Sequence, residues 1–159
     1  MRAIVAVCRD WGIGKDGDLL VHTKEDMHSF VRHTTGGTVV MGRSTLDSFP
    51  GGRPLKNRRN IVLTRQIGFA REGVDVAHSV DEALALVADA DPDTVWVIGG
   101  ASVYRQLLPY CEGAVVTKFD ELRDADTFFP DLDADPAFEI AETEEGETCR
   151  FVTYRRIGR

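Results

Sequence analysis

Asp26 is the residue whose type and position most strongly indicate chemistry. It lies near the start of residues 24–33, a segment in which Met27 and Phe30 recur on one helical face. An acid in the first turn stabilises a helix by about 0.3–1 kcal/mol through the helix dipole, which is one interpretation of its place. Glu25 already serves the dipole, however, and Asp26 borders the apolar face, where a carboxylate is costly unless it is hydrogen-bonded or paired. The second interpretation is that Asp26 binds a ligand that carries N–H donors.

Two arginines directly follow predicted strands. Arg43 comes after the strand of residues 38–41, and Arg65 comes after the strand of residues 60–64. The carboxyl ends of parallel strands lie at one edge of a sheet, so both arginines are expected near Gly99-Gly100, which follows another strand. Each arginine alone is consistent with a solvated surface charge. Together with the start of a helix, they indicate a site for a phosphorylated cofactor.

The glycine pair Gly99-Gly100 separates a short β-branched run, residues 95–98, from a segment with helical periodicity that begins at Ala101. Two glycines let the backbone approach a ligand closely, and the helix start beyond them offers free N–H groups to an anion such as a pyrophosphate. A plain tight turn is the alternative interpretation, because the full G-x-G-x-x-G pattern is absent.

The elements that position these residues alternate along the chain. Strands are predicted at residues 3–8, 38–41, 60–64, 73–77, 95–98, 114–119, 138–141 and 150–155, and helices at 24–33, from 79 to about 91, and from 101, with a short helical turn at 42–45. Residues 9–23 and 49–57 are interpreted as loops, and residues 120–127 as an acidic, flexible loop. This order predicts a single α/β domain over residues 1–159, with a mostly parallel sheet and an antiparallel C-terminal edge.

Composition excludes several classes of function. The chain has 159 residues, 43% hydrophobic and 28% charged, as in ordinary globular proteins. A net charge of −7 argues against binding to nucleic acid or an anionic membrane surface. The N-terminal apolar run is too short for a signal peptide or a membrane span, so we expect a cytoplasmic protein. Its three cysteines and four histidines lack metal-ligand spacing, so no metal site and no disulfide framework are predicted.

Taken together and in this order, the motifs of the chain resemble those of the dihydrofolate reductases nearly from end to end. The carrying motifs are Gly12-Ile13-Gly14, Glu25-Asp26-Met27 with Phe30, Val40-Met41-Gly42-Arg43-Ser44-Thr45, the stretch 52–60, Leu63-Thr64-Arg65, Val97-Ile98-Gly99-Gly100 with Val103-Tyr104, and Asp126-Thr127-Phe128-Phe129-Pro130. The resemblance implies a three-layer sandwich fold and the NADPH-dependent reduction of dihydrofolate.

The resemblance also implies roles for residues on the substrate side. Asp26 would hold the pterin through its ring N–H and 2-amino group, with Thr117 hydrogen-bonded behind it. Arg58 would pair with the glutamate α-carboxylate of folate. The residues implied to line the pterin and benzoyl site are Ile4, Val5, Ala6, Met27, Phe30, Phe49 and Leu55.

On the cofactor side the resemblance implies NADPH. Arg43, Thr45, Thr64 and Arg65 would hold its phosphates, and Gly99-Gly100 would carry the family's cis peptide. The full set implied to contact the cofactor is Ala6, Ile13, Gly42, Arg43, Ser44, Thr45, Leu63, Thr64, Arg65, Ile98, Gly99, Gly100, Ala101, Ser102, Val103 and Tyr104. Hydride would pass to pterin C6, and N5 would take a proton from water.

The first loop departs from the family pattern. Leu20 and Val21 stand where the family has proline and tryptophan, and in the family that tryptophan packs beside the pterin and anchors an ordered water. The departure bears on turnover, loop closure and inhibitor binding, but not on the fold. The expected partners are dihydrofolate and antifolate-type small molecules, and family members of this size are usually monomers.

Three other interpretations remain at this point. The related pyrimidine reductase of riboflavin synthesis resembles the same fold, but it should not need the pairing of Asp26 and Arg58. A pterin- or nucleotide-binding protein that has lost catalysis is compatible with Leu20-Val21. A structural α/β domain would leave the arginines and the Gly-Gly turn as coincidence.

Overall fold

The computed structural model describes residues 1–158, which form two sheets and four α-helices. The strands are β1 (Arg2–Val7), β2 (Gly12–Lys15), β3 (Asp18–Leu19), β4 (Thr38–Gly42), β5 (Arg59–Leu63), β6 (Val74–Ala77), β7 (Val95–Gly99), β8 (Gly113–Lys118), β9 (Thr127–Phe128), β10 (Phe138–Glu145) and β11 (Arg150–Arg156). The helices are α1 (Lys24–Thr34), α2 (Arg43–Ser48), α3 (Val80–Leu86) and α4 (Ala101–Leu107).

Eight strands make the main sheet, in the order β10-β11-β8-β1-β7-β4-β5-β6. The six strands from β8 to β6 are mutually parallel, whereas β11 pairs antiparallel with both β8 and β10. The central strands are continuous apolar runs because helices cover both of their faces. The predicted α/β fold with a mostly parallel sheet and an antiparallel C-terminal edge is therefore confirmed.

The two faces of the sheet carry separate apolar clusters, which gives three layers. Successive side chains of a strand point to opposite faces, so Ile4 and Val5 of β1 lie in different clusters. Leu46 of α2 packs in the cluster of Ile4, whereas Ala83 of α3 and Leu107 of α4 pack in the cluster of Val5. The face of Ile4 is the one that α1 and α2 cover.

Helix α1 leaves most of its apolar stripe open. Thr23 caps the helix. The buried residues of α1 are the polar Ser29 and Thr34. The side chains of Met27 and Val31 are 54% and 42% exposed. This stripe therefore remains available to contact a ligand instead of filling the core.

The prediction that residues 9–23 form a loop is wrong in part, because this segment contains β2 and β3. Strand β2 pairs with β3 in a local hairpin and with β9, from far along the chain, in a second sheet of order β3-β2-β9. Strands β2 and β3 are only four and two residues long, so they show no periodicity. The pairing of β2 with β9 depends on residues 127–128, which local sequence does not reveal.

The helix predicted to run from residue 79 to about 91 is shorter than expected. Ser79 caps it as predicted, since its Oγ accepts from the Glu82 N–H at 3.1 Å, but the helix ends at Leu86. The Glu82 carboxylate accepts from the His78 N–H instead of closing a capping box on Ser79. The terminal hairpin is longer than predicted, and a 3₁₀ turn, Pro50–Gly52, interrupts the loop at 49–57.

Candidate active site

The Asp26 carboxylate lies between helix α1 and strand β8. The Asp26 N–H donates to Thr23 Oγ1 at 3.1 Å, which fixes the first turn of the helix. The Asp26 Oδ1 accepts from Thr117 Oγ1 at 2.7 Å, and Thr117 is buried in β8. Two residues that lie 91 positions apart in the sequence therefore form one polar pair beside the open stripe of α1.

Burial raises the pKa of Asp26 above its ordinary value, while the hydrogen bond from Thr117 and the nearby His22 partly oppose that rise. Within residues 1–158, Asp26 forms no salt bridge, and its Oδ2 accepts no hydrogen bond. A partly buried carboxylate with one neutral donor has an unmet demand for donors. The geometry suits a ligand that presents adjacent N–H groups.

Apolar side chains surround this carboxylate on the face of the sheet that α1 covers. Phe30, Phe49 and Leu55 are partly buried and pack against the cluster that contains Ile4. Ala6 is two residues beyond Ile4 in β1 and so faces the same side. The Val5 side chain is the exception, because it points into the opposite cluster with Tyr104, and only its backbone can border this site.

Arg58 stands near the end of helix α1 that is remote from Asp26. Its Nε donates to Thr34 Oγ1 at 2.9 Å, its Nη1 to the Lys56 carbonyl at 3.0 Å and its Nη2 to Thr35 Oγ1 at 3.3 Å. These acceptors are all neutral, and the guanidinium lies 5.9 Å from the ring of Phe30. Partial burial lowers the pKa of Arg58, which remains charged at neutral pH. An oriented guanidinium with no carboxylate partner among the described residues suits an anionic group of a ligand.

The peptide bond between Gly99 and Gly100 is cis, as predicted. The Tyr104 hydroxyl donates to the Ile4 carbonyl at 2.7 Å, and the Tyr104 ring lies 3.4–3.5 Å from where a Gly99 Cβ would be. Burial raises the pKa of Tyr104, so its hydroxyl stays protonated. A Cβ on Gly42 would come within 3.1 Å of the Val103 side chain. The glycines therefore let strand ends and helix α4 approach closely.

Arg43 and Arg65 lie at the same edge of the sheet, where the parallel strands β4 and β5 end in register. The Arg43 guanidinium lies 4.9 Å from the ring of Phe69, donates to Gln66 Oε1 and pairs with Asp47 at 3.4 Å. Arg65 is exposed and forms no ion pair within the described part of the chain. The sequence analysis did not identify Asp47 and Gln66 as partners of Arg43, although Asp47 lies at the i, i+4 spacing that is typical of a helical ion pair.

The other predicted cofactor residues differ in what they offer. Thr45 Oγ1 lies 3.7 Å from where a Gly100 Cβ would be, which brings α2 next to the Gly-Gly turn. Gly42 and Gly100 precede α2 and α4 as their N-cap residues, so neither helix has a side-chain cap. Ser102 accepts from Gln106 on the helix surface. Three predicted residues, Ile13, Leu63 and Val103, are buried in the cluster of Val5, and Ile98 packs on the opposite face. These four can shape the site mainly through packing and backbone.

The first loop is attached to residues 123–126. The Leu20 carbonyl accepts from Arg123 Nη1 at 2.8 Å, and the Leu20 N–H donates to the Ile13 carbonyl at 3.3 Å. The Asp16 N–H donates to Asp126 Oδ2 at 2.9 Å. Leu20 and Val21 are half-buried and line a narrow crevice with Ala6 and Ile13. The loop departure thus lies at the junction of the two predicted binding regions.

Comparison with known proteins defines the class. The family model for dihydrofolate reductase matches residues 1–156, so the chain belongs to the dihydrofolate reductase family. It is accordingly an NADPH-dependent oxidoreductase by family.

Particular relatives agree over nearly the full length. Dihydrofolate reductase HdrB of Haloferax volcanii is 38% identical over 96% of this chain and 81% of its own length. Dihydrofolate reductase type 3 of Salmonella typhimurium is 36% identical over 96% of both chains. The solved structure of dihydrofolate reductase from Enterococcus faecalis complexed with NADP(H) and RAB-propyl superposes with a TM-score of 0.88 at 36% identity, and it covers 99% of this chain and 96% of that one.

Proposed function

We propose that this protein reduces 7,8-dihydrofolate to 5,6,7,8-tetrahydrofolate with NADPH. The observation that carries the proposal is the Asp26–Thr117 pair, a partly buried carboxylate with a free oxygen on the face that the open stripe of α1 borders. Family membership and the NADP(H) complex of the Enterococcus faecalis relative support the same reaction.

On the substrate side, Asp26 would accept hydrogen bonds from the ring N–H and the 2-amino group of the pterin. Thr117 donates to Oδ1, which leaves Oδ2 and the remaining lone pairs for the ligand. Phe30, Phe49 and Leu55 would contact the pterin and benzoyl rings. Arg58 would bind the glutamate α-carboxylate, because its guanidinium is held by neutral acceptors only.

On the cofactor side, the residues at the ends of β4 and β5 fit a phosphorylated dinucleotide. Arg43 and Arg65 supply positive charge, and the hydroxyls of Thr45 and Thr64 supply donors at the same edge. Because Gly99 and Gly100 carry no side chains, the backbone there would come close to a flat ring. Bound NADPH supplies the hydride that adds to pterin C6.

The protein's own contribution to catalysis is orientation and charge. Hydride at C6 together with a proton from water at N5 saturates the N5=C6 double bond. The fixed negative charge of Asp26 would favour the protonated pterin that accepts the hydride. Burial strengthens that interaction because the local dielectric is lower than that of water.

We also propose that the protein acts as one domain and as a monomer in the cytoplasm. Asp26, Thr117, Arg43 and the Gly-Gly turn all come from one chain, so no second copy is needed to complete the site. The buried thiols of Cys8 and Cys149 form no disulfide within the described residues, which suits a reducing compartment. The net charge of −7 disfavours nucleic acid as a partner. Separately, no helix among residues 1–158 is both long and apolar enough to cross a membrane.

The test is NADPH oxidation, followed by absorbance at about 340 nm, where the reduced nicotinamide absorbs. We expect oxidation to require dihydrofolate, and tetrahydrofolate to accumulate in equal amount. NADPH binding without any dihydrofolate-dependent oxidation would overturn the proposed reaction and favour a pterin- or nucleotide-binding protein instead.

A further inference from the structure

Glu25, the neighbour of Asp26, binds the turn between β10 and β11, residues 146–149, which we name the hairpin turn. Its carboxylate accepts from the Glu147 N–H at 2.8 Å, the Thr148 N–H at 3.0 Å, Thr148 Oγ1 at 2.9 Å and Cys149 Sγ at 3.2 Å. The expectation that Glu25 simply serves the helix dipole is therefore incomplete. These four hydrogen bonds, which we name the Glu25 clamp, join two segments more than 120 residues apart.

The hairpin turn is shaped to receive a carboxylate. A Cβ on Gly146 would come within 2.7–2.8 Å of the Glu25 carboxylate, so only glycine leaves room for it. The Gly146 N–H donates to the Cys149 carbonyl at 2.8 Å, which closes the turn. The donors from residues 147–149 hold the pKa of Glu25 at about 2, so the clamp is fully charged at neutral pH.

The clamp and the Asp26–Thr117 hydrogen bond attach the first turn of α1 to the same pair of strands. Thr117 of β8 pairs in register with Phe151 of β11. Strand β11 begins at Arg150, directly after the hairpin turn. Asp26 is hydrogen-bonded to Thr117 of β8, β8 pairs with β11, and the hairpin turn before β11 binds Glu25, the neighbour of Asp26. The first turn of α1 is therefore held at two adjacent residues by one pair of strands.

We propose that Glu25 is a positioning residue that keeps the Asp26 carboxylate opposite Thr117 and aimed at the pterin. This inference rests on the proposed function, since it assigns the clamp to the substrate side of that site. It differs from a purely structural role, because a structural clamp would affect folding and both ligands alike. Loss of a positioning residue lowers kcat/KM for dihydrofolate and leaves the Kd of NADPH unchanged, since the cofactor residues lie on other elements.

Two variants break the clamp from opposite sides. Glu25→Gln removes the charge and one of the two strong acceptor oxygens. Gly146→Ala keeps Glu25 and every donor, but its methyl group displaces the carboxylate. Glu139→Gln is the matched control. Glu139 pairs with Arg155 in the same hairpin, it forms no hydrogen bond or ion pair with α1 among the described residues, and its substitution also removes one carboxylate charge.

We expect both clamp variants to lower kcat/KM for dihydrofolate by about 10-fold to 100-fold, the loss expected when a reacting group is misplaced by about 1 Å. The Kd of NADPH should stay within twofold of the wild type, and Glu139→Gln should match the wild type in every measurement. The double variant Glu25→Gln, Gly146→Ala should be no slower than the slower single variant, because both changes break one contact set.

A second readout does not depend on turnover. An NMR titration of the Asp26 carboxyl carbon in Gly146→Ala should show a higher midpoint than the wild type. Loss of the Thr117 hydrogen bond removes an influence that lowers the Asp26 pKa, and this influence is larger than that of the Glu25 charge, which raises the pKa and is kept in this variant. An unchanged midpoint, or wild-type kcat/KM in both clamp variants, would overturn the inference. Equal losses in dihydrofolate turnover, NADPH affinity and Tm would also overturn it in favour of a structural role. A wild-type protein that fails to reduce dihydrofolate would refute the proposed function, and the titration would still decide the role of Glu25.

Discussion

Asp26→Asn tests the substrate side of the site most directly. The substitution keeps the shape of the side chain, and its amide oxygen can still accept from Thr117, as Asp26 Oδ1 does at 2.7 Å. It removes the negative charge that would pair with a protonated pterin, and it places an NH₂ group where the ligand's N–H groups need an acceptor. The variant therefore changes the chemistry of one contact while preserving the packing around it.

The expected magnitude follows from the partly buried position of the carboxylate. Two unit charges about 4 Å apart interact by about 4 kcal/mol at an effective dielectric constant of about 20, which suits a site near the protein surface. A loss of about 2.7–4 kcal/mol of transition-state stabilisation corresponds to about a 100-fold to 1,000-fold decrease in rate. We expect kcat/KM for dihydrofolate at pH 7 to fall within that range.

The pH profile supplies a second and independent signature. Activity of Asp26→Asn should recover partly as pH falls, because the substrate then arrives already protonated. The stability of Asp26→Asn relative to the wild type should change in the opposite direction: any gain in Tm should shrink as pH falls. Burial raises the pKa of Asp26, so the folded wild type carries a penalty above that pKa, and the penalty disappears as pH falls below the ordinary value of 3.8. The variant should therefore have an equal or higher Tm at pH 7, with no advantage in strong acid.

The assay is steady-state NADPH oxidation between pH 5 and pH 8 with saturating cofactor, together with thermal unfolding at the same pH values. Asp75→Asn is the control, because Asp75 of the edge strand β6 pairs with Arg59 of β5 and not with Asp26 or Thr117, and the substitution removes the same charge. Wild-type kcat/KM in Asp26→Asn at pH 7 would refute the assignment of Asp26 as the pterin anchor. A variant with low activity and a much lower Tm would show that Asp26 acts on folding instead.

Three further predictions test the remaining parts of the site. Arg43→Ala with Arg65→Ala should raise KM for NADPH at least about 10-fold more than KM for NADH, because guanidinium–phosphate pairing is lost; equal wild-type KM values for the two cofactors would contradict it. Arg58→Leu should raise KM for dihydrofolate by about 10-fold, the effect of losing one charged hydrogen-bonded contact, with little change for a pterin substrate that lacks the glutamate. Leu20→Pro with Val21→Trp should raise kcat/KM for dihydrofolate, because proline restricts the loop and the indole can cover the pterin; a well-folded revertant that is no faster would show that the loop departure is neutral.

Local sequence was sufficient for the main sheet. Each central strand is a short apolar run such as residues 95–99, and the turns between elements carry glycine or proline, so type and order could be predicted from pattern alone. The placement of Arg43 and Arg65 at one edge followed from the same reasoning, because parallel neighbouring strands must end on the same side. The predicted cis bond at Gly99-Gly100 came from the family resemblance and not from spacing.

Only the tertiary structure decided the contacts that join distant parts of the chain. Strands β2 and β3 are too short to carry a periodic pattern, and their sheet is completed only when the distant strand β9 pairs with β2. The Asp26–Thr117 pair could be expected by resemblance, but the donors that fix Glu25 could not, because residues 147–149 form an ordinary polar turn in the sequence. Residue types and periodicity determine where the longer helices and strands form, since those depend on neighbours along the chain. The partners of a charged side chain depend on which elements the sheet brings together, and that is settled only when the strands have packed.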